Sequence, residues 1–162
     1  MEKIILDKLK SSTPKEGIYI ALSSSIAGYH VFRVRPIPGL VFPMTLHREK
    51  NNAVHNNAII VKKSAKSKLS ENVIKLANGR DVFDKDVGHV PREISDIIAP
   101  YMDDDIVSKG LAFYTGKVVQ KGSGQGGGPH LTCVYMLKID CDHSSQDLKE
   151  KLKPYNCIYI TK

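Results

Sequence analysis

The chain has 162 residues, 41% hydrophobic and 25% charged, with a net charge of +7. That length suits one domain burying about two-thirds of its surface, and no apolar run approaches the roughly 20 residues of a membrane helix. The first ten residues, MEKIILDKLK, hold only a short apolar stretch between charges, so no signal peptide is expected and the protein is expected inside the cell. Cys133, Cys141 and Cys157 form no C-x-x-C pair, which argues against a disulfide scaffold or zinc knuckle and for buried free thiols. The charge is uneven: residues 1–80 hold 14 Lys/Arg and 5 Asp/Glu, residues 81–162 hold 10 and 12. A basic half beside a near-neutral one fits a partner rich in phosphate.

Residues 1–16 form a polar, basic lead-in, either a short helix or a loose arm. From there to residue 162 the chain reads as a single domain. Residues 17–22 and 26–34 are β-branched and aromatic enough for strands, with Ser23, Ser24 and Ser25 between them. Pro36 and Pro38-Gly39 end the second. Residues 40–48 continue as a strand. Leu40, Phe42, Met44, Leu46 and Arg48 form its more apolar, core-facing side, and Val41, Pro43, Thr45 and His47 the other. Pro43 marks an edge or a bulge. Asn51, Asn52, Asn56 and Asn57 make a loop that tolerates left-handed backbone, and residues 58–61 form a short central strand.

Residues 62–86 open with KKSAKSK and exceed the usual loop length of about 12–15 residues, with a marginal helix at 69–76. Val87, His89 and Val90 then end a strand. Pro91 suits a helix start, and Ile94, Ile97, Ile98 and Tyr101 recur at the spacing of a buried helical stripe. Strands are predicted at 111–121, 130–139 and 157–160. GSGQGGG (122–128) is a connector, and a helix capped by Ser144 or Ser145 carries Leu148 and Leu152. The expected fold is mainly β, a partly open barrel of OB-like or SH3-like type with two short helices.

The glycine cluster lacks the Lys-Ser/Thr of a phosphate-binding loop. Asp140, Cys141, Asp142 and His143 are adjacent in sequence, where strand side chains diverge rather than converge on a metal. No nucleophile–histidine signature stands out, so no enzyme activity, cofactor or metal is expected. A nucleic-acid surface has more behind it, because single strands bind where cations track phosphates and rings stack on bases. Tyr29, His30, Phe32, Arg33 and Arg35 interleave in one predicted strand, His47, Arg48 and Lys50 lie on the next, and Lys62 and Lys63 start the basic run. Two rival readings stay open: Phe32 as core, and Arg48 in an ion pair with Glu49 or a neighbouring acid.

Three ordered motifs carry a family resemblance: IAGYHVF (26–32), LHREKNNAVHNNAIIV (46–61) and VGHVPREISDIIAPY (87–101). Together they resemble HIRAN domains, small β-barrel modules, over roughly residues 26–153. The chain departs from that pattern at 62–86, where about 20 extra residues intervene in place of a short hairpin. The resemblance implies a module binding single-stranded DNA or DNA ends, in the nucleus, beside replication or repair proteins. It also implies a pocket for a free 3′ end, built from entry-strand aromatics and an aromatic–aspartate pair after the Asn turn. Here Val54 and His55 stand at that pair. His55 can bond a hydroxyl or phosphate but does not reproduce an acceptor-only aspartate, so little 3′-hydroxyl preference is expected. The alternative is a protein-interaction module on the same barrel. The extra segment is expected to add affinity without specificity.

Overall fold

Every strand pairs antiparallel, and the long β-hairpin near the C-terminus organises the rest. The computed structural model describes residues 3–12, 17–32, 36–39, 42–79, 83–122, 128–139 and 145–161. The strands are β1 (Ile18–Ile26), β2 (Met44–Arg48), β3 (Ile59–Lys63), β4 (Asp86–His89), β5 (Val107–Lys121), β6 (Gly128–Ile139) and β7 (Ile158–Thr161). They form one sheet of order β4-β3-β2-β5-β6-β1-β7. The described residues also hold α1 (Lys3–Ser12), α2 (Tyr29–Phe32), α3 (Glu71–Leu76), α4 (Arg92–Asp103), α5 (Gln146–Leu152) and 3-10 turns at Lys66–Lys68 and Lys153–Tyr155. The two expected helices are α4 and α5; α1 and α3 fall where a short lead-in helix and a marginal helix are read from the sequence, and α2 is the addition. No described helix is long and apolar enough to cross a membrane.

The mainly-β expectation holds, but the sheet is open rather than a closed barrel. Edge strand β4 meets the end of β1 at one bridge, Ala27 with His89, through backbone bonds of 2.8 and 2.9 Å. Closure needs a continuous staggered ladder. Here the chain leaves the sheet at once: Gly28, at φ +71°, turns it into α2. That turn also corrects the predicted strand at 26–34. β1 instead runs unbroken through Ser23, Ser24 and Ser25, paired with Val134, Cys133 and Thr132 of β6. Pairing along β6 outweighs the weak strand preference of serine. Ser25 is held further by His130 Nδ1 at 2.9 Å from its Oγ and by Tyr135 OH, which donates to its carbonyl at 2.5 Å.

One face of the sheet carries the main core. Ile20, Leu22, Ile26, Met44, Leu46, Ile59, Val61, Leu131, Tyr135 and Leu137 meet Ile94, Ile98 and Tyr101 of α4 and Leu148 and Leu152 of α5. The reverse face of β1, β5, β6 and β7 holds a second cluster of Tyr19, Ala21, Leu111, Phe113, Val134, Met136 and Ile160. Burial on both faces explains why β6 reads as a near-continuous apolar run. In α4 the buried stripe is shifted from the predicted one: Ile94, Ser95, Ile98, Ala99 and Tyr101 are buried, but Ile97 is half-buried. Tyr101 OH donates to Asp147, tying α4 to α5. Cys133 is buried and Cys157 half-buried, both free. Burial pushes the Cys133 thiol up to about 12, so it stays protonated and unreactive.

The extra segment is a folded connection between β3 and β4. β3 extends through Lys62 and Lys63, so the excursion begins after them. Its ends are pinned by Lys63 N to Lys85 O at 2.8 Å and Asp84 N to Ser64 O at 3.3 Å. Within it α3 starts two residues later than predicted, because the Ser70 hydroxyl caps it by accepting from Val73 N at 3.3 Å.

Candidate nucleic-acid interface

Cross-strand register settles which side chains share a surface, because directly paired residues project to the same side of a sheet. His47 pairs with Ile60 and Ile60 with His89; one step along, Thr45 pairs with Lys62 and Lys62 with Asp86. The face of β2–β3–β4 away from the core therefore carries two short rows, His47–Ile60–His89 and Thr45–Lys62–Asp86. The Phe32 ring lies at one margin, its centroid 5.9 Å from that of His89. The other margin is basic. Lys68 of the 3-10 turn lies near enough to His47 to act on its charge, and Lys66 Nζ sits 5.9 Å over the Phe83 ring. Burial first, then Lys62 and Lys68, hold the His47 imidazole below its ordinary value, against an opposing pull from Asp86.

The loop joining β2 to β3 borders this face. Its asparagines work differently from the expectation, since Asn51, Asn52, Asn56 and Asn57 all keep negative φ. Asn52 shapes the turn through its side chain: Oδ1 accepts from Val54 N and His55 N at 2.9 Å each, and Nδ2 donates to Glu49 Oε1 at 2.8 Å. This is an Asx-type turn, which needs no left-handed backbone. Glu49 Oε2 lies 3.1 Å from His89 Nε2. His55 Nε2 lies 2.7 Å from Asp96 Oδ1 on α4, which also accepts from Asn57 Nδ2 at 3.3 Å. The bond from His55 is the main reason the Asp96 carboxyl sits below the usual carboxylate range. A carboxylate thus stands beside the position where the family pattern would have its aspartate, supplied by α4. Val54 is left 71% exposed at the tip of the loop.

The expected site residues separate accordingly. His47 and Lys62 lie on the outer face, and Phe32 borders it. Lys62 Nζ is 3.4 Å from Asp86. Tyr29 is half-buried against the core, and His30 lies with it in α2. Arg33 and Arg35 lie outside the described residues, as do Asp140, Cys141, Asp142 and His143. Lys63 pairs with Met44, which puts it on the core side, and it is only 5% exposed. Lys50 is exposed, its Nζ 3.8 Å from Asp103. His55 joins the loop cluster. His89, Asp96, Lys66, Lys68 and Phe83 were not among the expected residues. Only the lysines carried a signal, the KKSAKSK run.

Arg48 is turned inward, as its alternation with Met44 and Leu46 implied. Its Nε and Nη2 grip Asp103 at 2.9 and 3.2 Å, Nη1 donates to Ala58 O at 2.7 Å, and Nη2 to Asn56 O at 3.0 Å. The guanidinium staples the loop to the end of α4, and it is the main cause of the depressed Asp103 carboxyl. Arg48→Ala is expected to cost about 1.5–3 kcal/mol, because charged bonds go and carbonyls lose their donor. Lysine should rescue little, since it lacks the planar fork. The folded carboxyl lies below its unfolded value, so the contribution is in place above roughly pH 4 and fades as pH falls through the folded value. Urea melts at neutral and acid pH should show the wild-type advantage shrinking at the acid end. An equal difference at both would remove the ion pair from the account.

No family model matches the chain, and no curated protein does. Solved structures do. The crystal structure of the HIRAN domain of human HLTF aligns over 86% of this chain and 93% of that one, with 16% identity and a TM-score of 0.53. The NMR structure of the HLTF HIRAN domain in its DNA-bound conformation aligns over 87% and 92%, with 17% identity and a TM-score of 0.50. At this identity the likeness is one of fold, and it covers most of the chain. The chain has the HIRAN fold.

Proposed function

We propose that the protein is a non-catalytic nucleic-acid-binding module that takes single-stranded DNA or DNA ends. The observation that carries this is the outer face of β2–β3–β4, where register gathers His47, Lys62 and His89 with the Phe32 ring at one margin. Cations there can track phosphates while the ring offers a base a stacking partner. His47, Lys62 and His89 lie together on this face, which supports nucleic acid over a general protein-interaction role, while Arg48 and Lys63 turn to the core side. A similar fold has been solved in a DNA-bound conformation. On this reading the protein works at DNA in the nucleus, alongside replication or repair proteins, as the family resemblance implies.

End selectivity is expected to be weak. Asp96 Oδ1 already accepts from His55 and Asn57, so a 3′ hydroxyl would compete with donors in place. A protonated His55 would be neutralised by Asp96 2.7 Å away, which mutes its attraction for a 3′ phosphate. Anisotropy titrations with 3′-hydroxyl and 3′-phosphate single strands should agree within about threefold, under 1 kcal/mol. Both should weaken with salt, by a log–log slope of about −0.7 per phosphate contacted. Absence of salt-dependent binding would sink the reading. A preference above about tenfold for the hydroxyl, lost in Asp96→Asn, would instead make Asp96 the end-selecting group.

A further inference from the structure

We infer that His47, Lys62 and Lys68 form a subsite for the phosphates of a nucleic-acid backbone, and that His47 takes up a proton when the subsite fills. The inference rests on the nucleic-acid reading above and specifies what the lysine-bearing end of that face does.

The geometry comes from the extra segment. Its ends are pinned to one another beside β3 by the Lys63–Lys85 and Ser64–Asp84 backbone bonds. The turn at Lys66–Lys68 is therefore held next to β2 and β3 rather than projecting as a loose tail. Lys68 N bonds Ala65 O at 3.0 Å, and the Lys66 ammonium rests over Phe83. His47 shares the outer face with Lys62 and lies within reach of the Lys68 charge. Its Nε2 is 2.8 Å from Thr45 Oγ1, which orients the ring.

The groups that bear on His47 from each neighbouring element can be named. β2 itself supplies Thr45 and Glu49, and Glu49 is engaged by His89. β3 supplies Lys62, β4 supplies Asp86 and His89, and the 3-10 turn supplies Lys68, while its Lys66 rests over Phe83. Two ammonium groups, Lys62 and Lys68, face one carboxylate, Asp86, which Lys62 partly occupies. Burial first, and then this positive excess, disfavour the charged imidazole in the empty protein. A phosphodiester bridging the lysines reverses the sign of that field, and protonation becomes favourable as the ligand arrives. His55 and His89 differ in kind. Each already has its own carboxylate, Asp96 at 2.7 Å and Glu49 at 3.1 Å.

The test uses the full chain and an oligothymidylate of about 12 nucleotides, within the span of such surfaces. Lowering the pH from about 8 to about 6 should tighten binding three- to tenfold, the limit being about tenfold per pH unit for one proton taken up. His47→Gln keeps a partner for Thr45 and removes the titration, so it should flatten that pH response, whereas His55→Gln should keep it. Lys68→Ala should weaken binding at both pH values and reduce the salt slope by about 0.7. The His47 ring signal, followed by NMR, should titrate at higher pH once the oligonucleotide is added. A wild-type pH response that survives His47→Gln overturns the inference, as does equal competition by phosphatidylserine vesicles, which would make this a lipid surface. Salt-dependent but pH-insensitive binding overturns this inference alone. No binding at any pH overturns it together with the reading on which it rests.

Discussion

Truncating Ile98 to alanine is expected to destabilise the protein by about 2–5 kcal/mol, from lost burial plus the cavity left behind. Ile98 is fully buried among the sheet's core residues and Leu148 and Leu152 of α5. α4 touches β2, β5 and α5, and Ile98 is wholly shielded from solvent. Ile97, one residue earlier, is only half-buried, so Ile97→Ala should cost distinctly less. The contrast matters for function because α4 carries both Asp96 and Asp103, the anchors of the β2–β3 loop. Urea unfolding of the two variants measures it directly. A cost for Ile98→Ala below about half a kcal/mol, the scatter of surface substitutions, would show that α4 does not pack on the sheet as described.

Gly88→Ala should lose stability and ligand binding together. A methyl group at Gly88 would stand 2.4 Å from Ala27 O and 2.8 Å from Ile26 Cγ2, at the bridge where β4 meets the end of β1. Neither backbone can retreat without opening that bridge. Overpacking costs about 1–3 kcal/mol, and two lost backbone bonds add about 0.5–1.5 kcal/mol each. α2 follows Ala27 directly, so displacing the bridge also moves Phe32 away from His89. Hydrogen exchange at the Ala27 and His89 amides should rise sharply, and oligonucleotide affinity should fall in the same variant. Normal protection at those amides would mean the bridge accommodates the methyl group and does not hold α2 in place.

Local patterns were legible wherever one physical cause dominated. The 3.6-residue recurrence of Ile94, Ile98 and Tyr101 follows from a helix burying one side. The alternation of Met44, Leu46 and Arg48 against Thr45 and His47 follows from a strand with one face on the core. That alternation already pointed Arg48 inward, away from a phosphate. The apolar run of β6 was equally readable, although only the two-sided core explains why it scarcely alternates.

What could not be read lay in contacts between distant parts of the chain. YHVF at 29–32 suits a strand on propensity, but β1 had already taken its full pairing along β6, and the turn at Gly28 left those residues a short helix. Lys62 and Lys63 look interchangeable in sequence, yet cross-strand register sends one outward beside His47 and the other inward beside Met44. Arg48 finds Asp103, 55 residues away, and His55 finds Asp96, 41 residues away. Composition and periodicity report short-range preferences summed along the chain. Register and sheet closure depend on which strands meet, and that choice put His47, Lys62 and His89 on one face and turned Lys63 to the other.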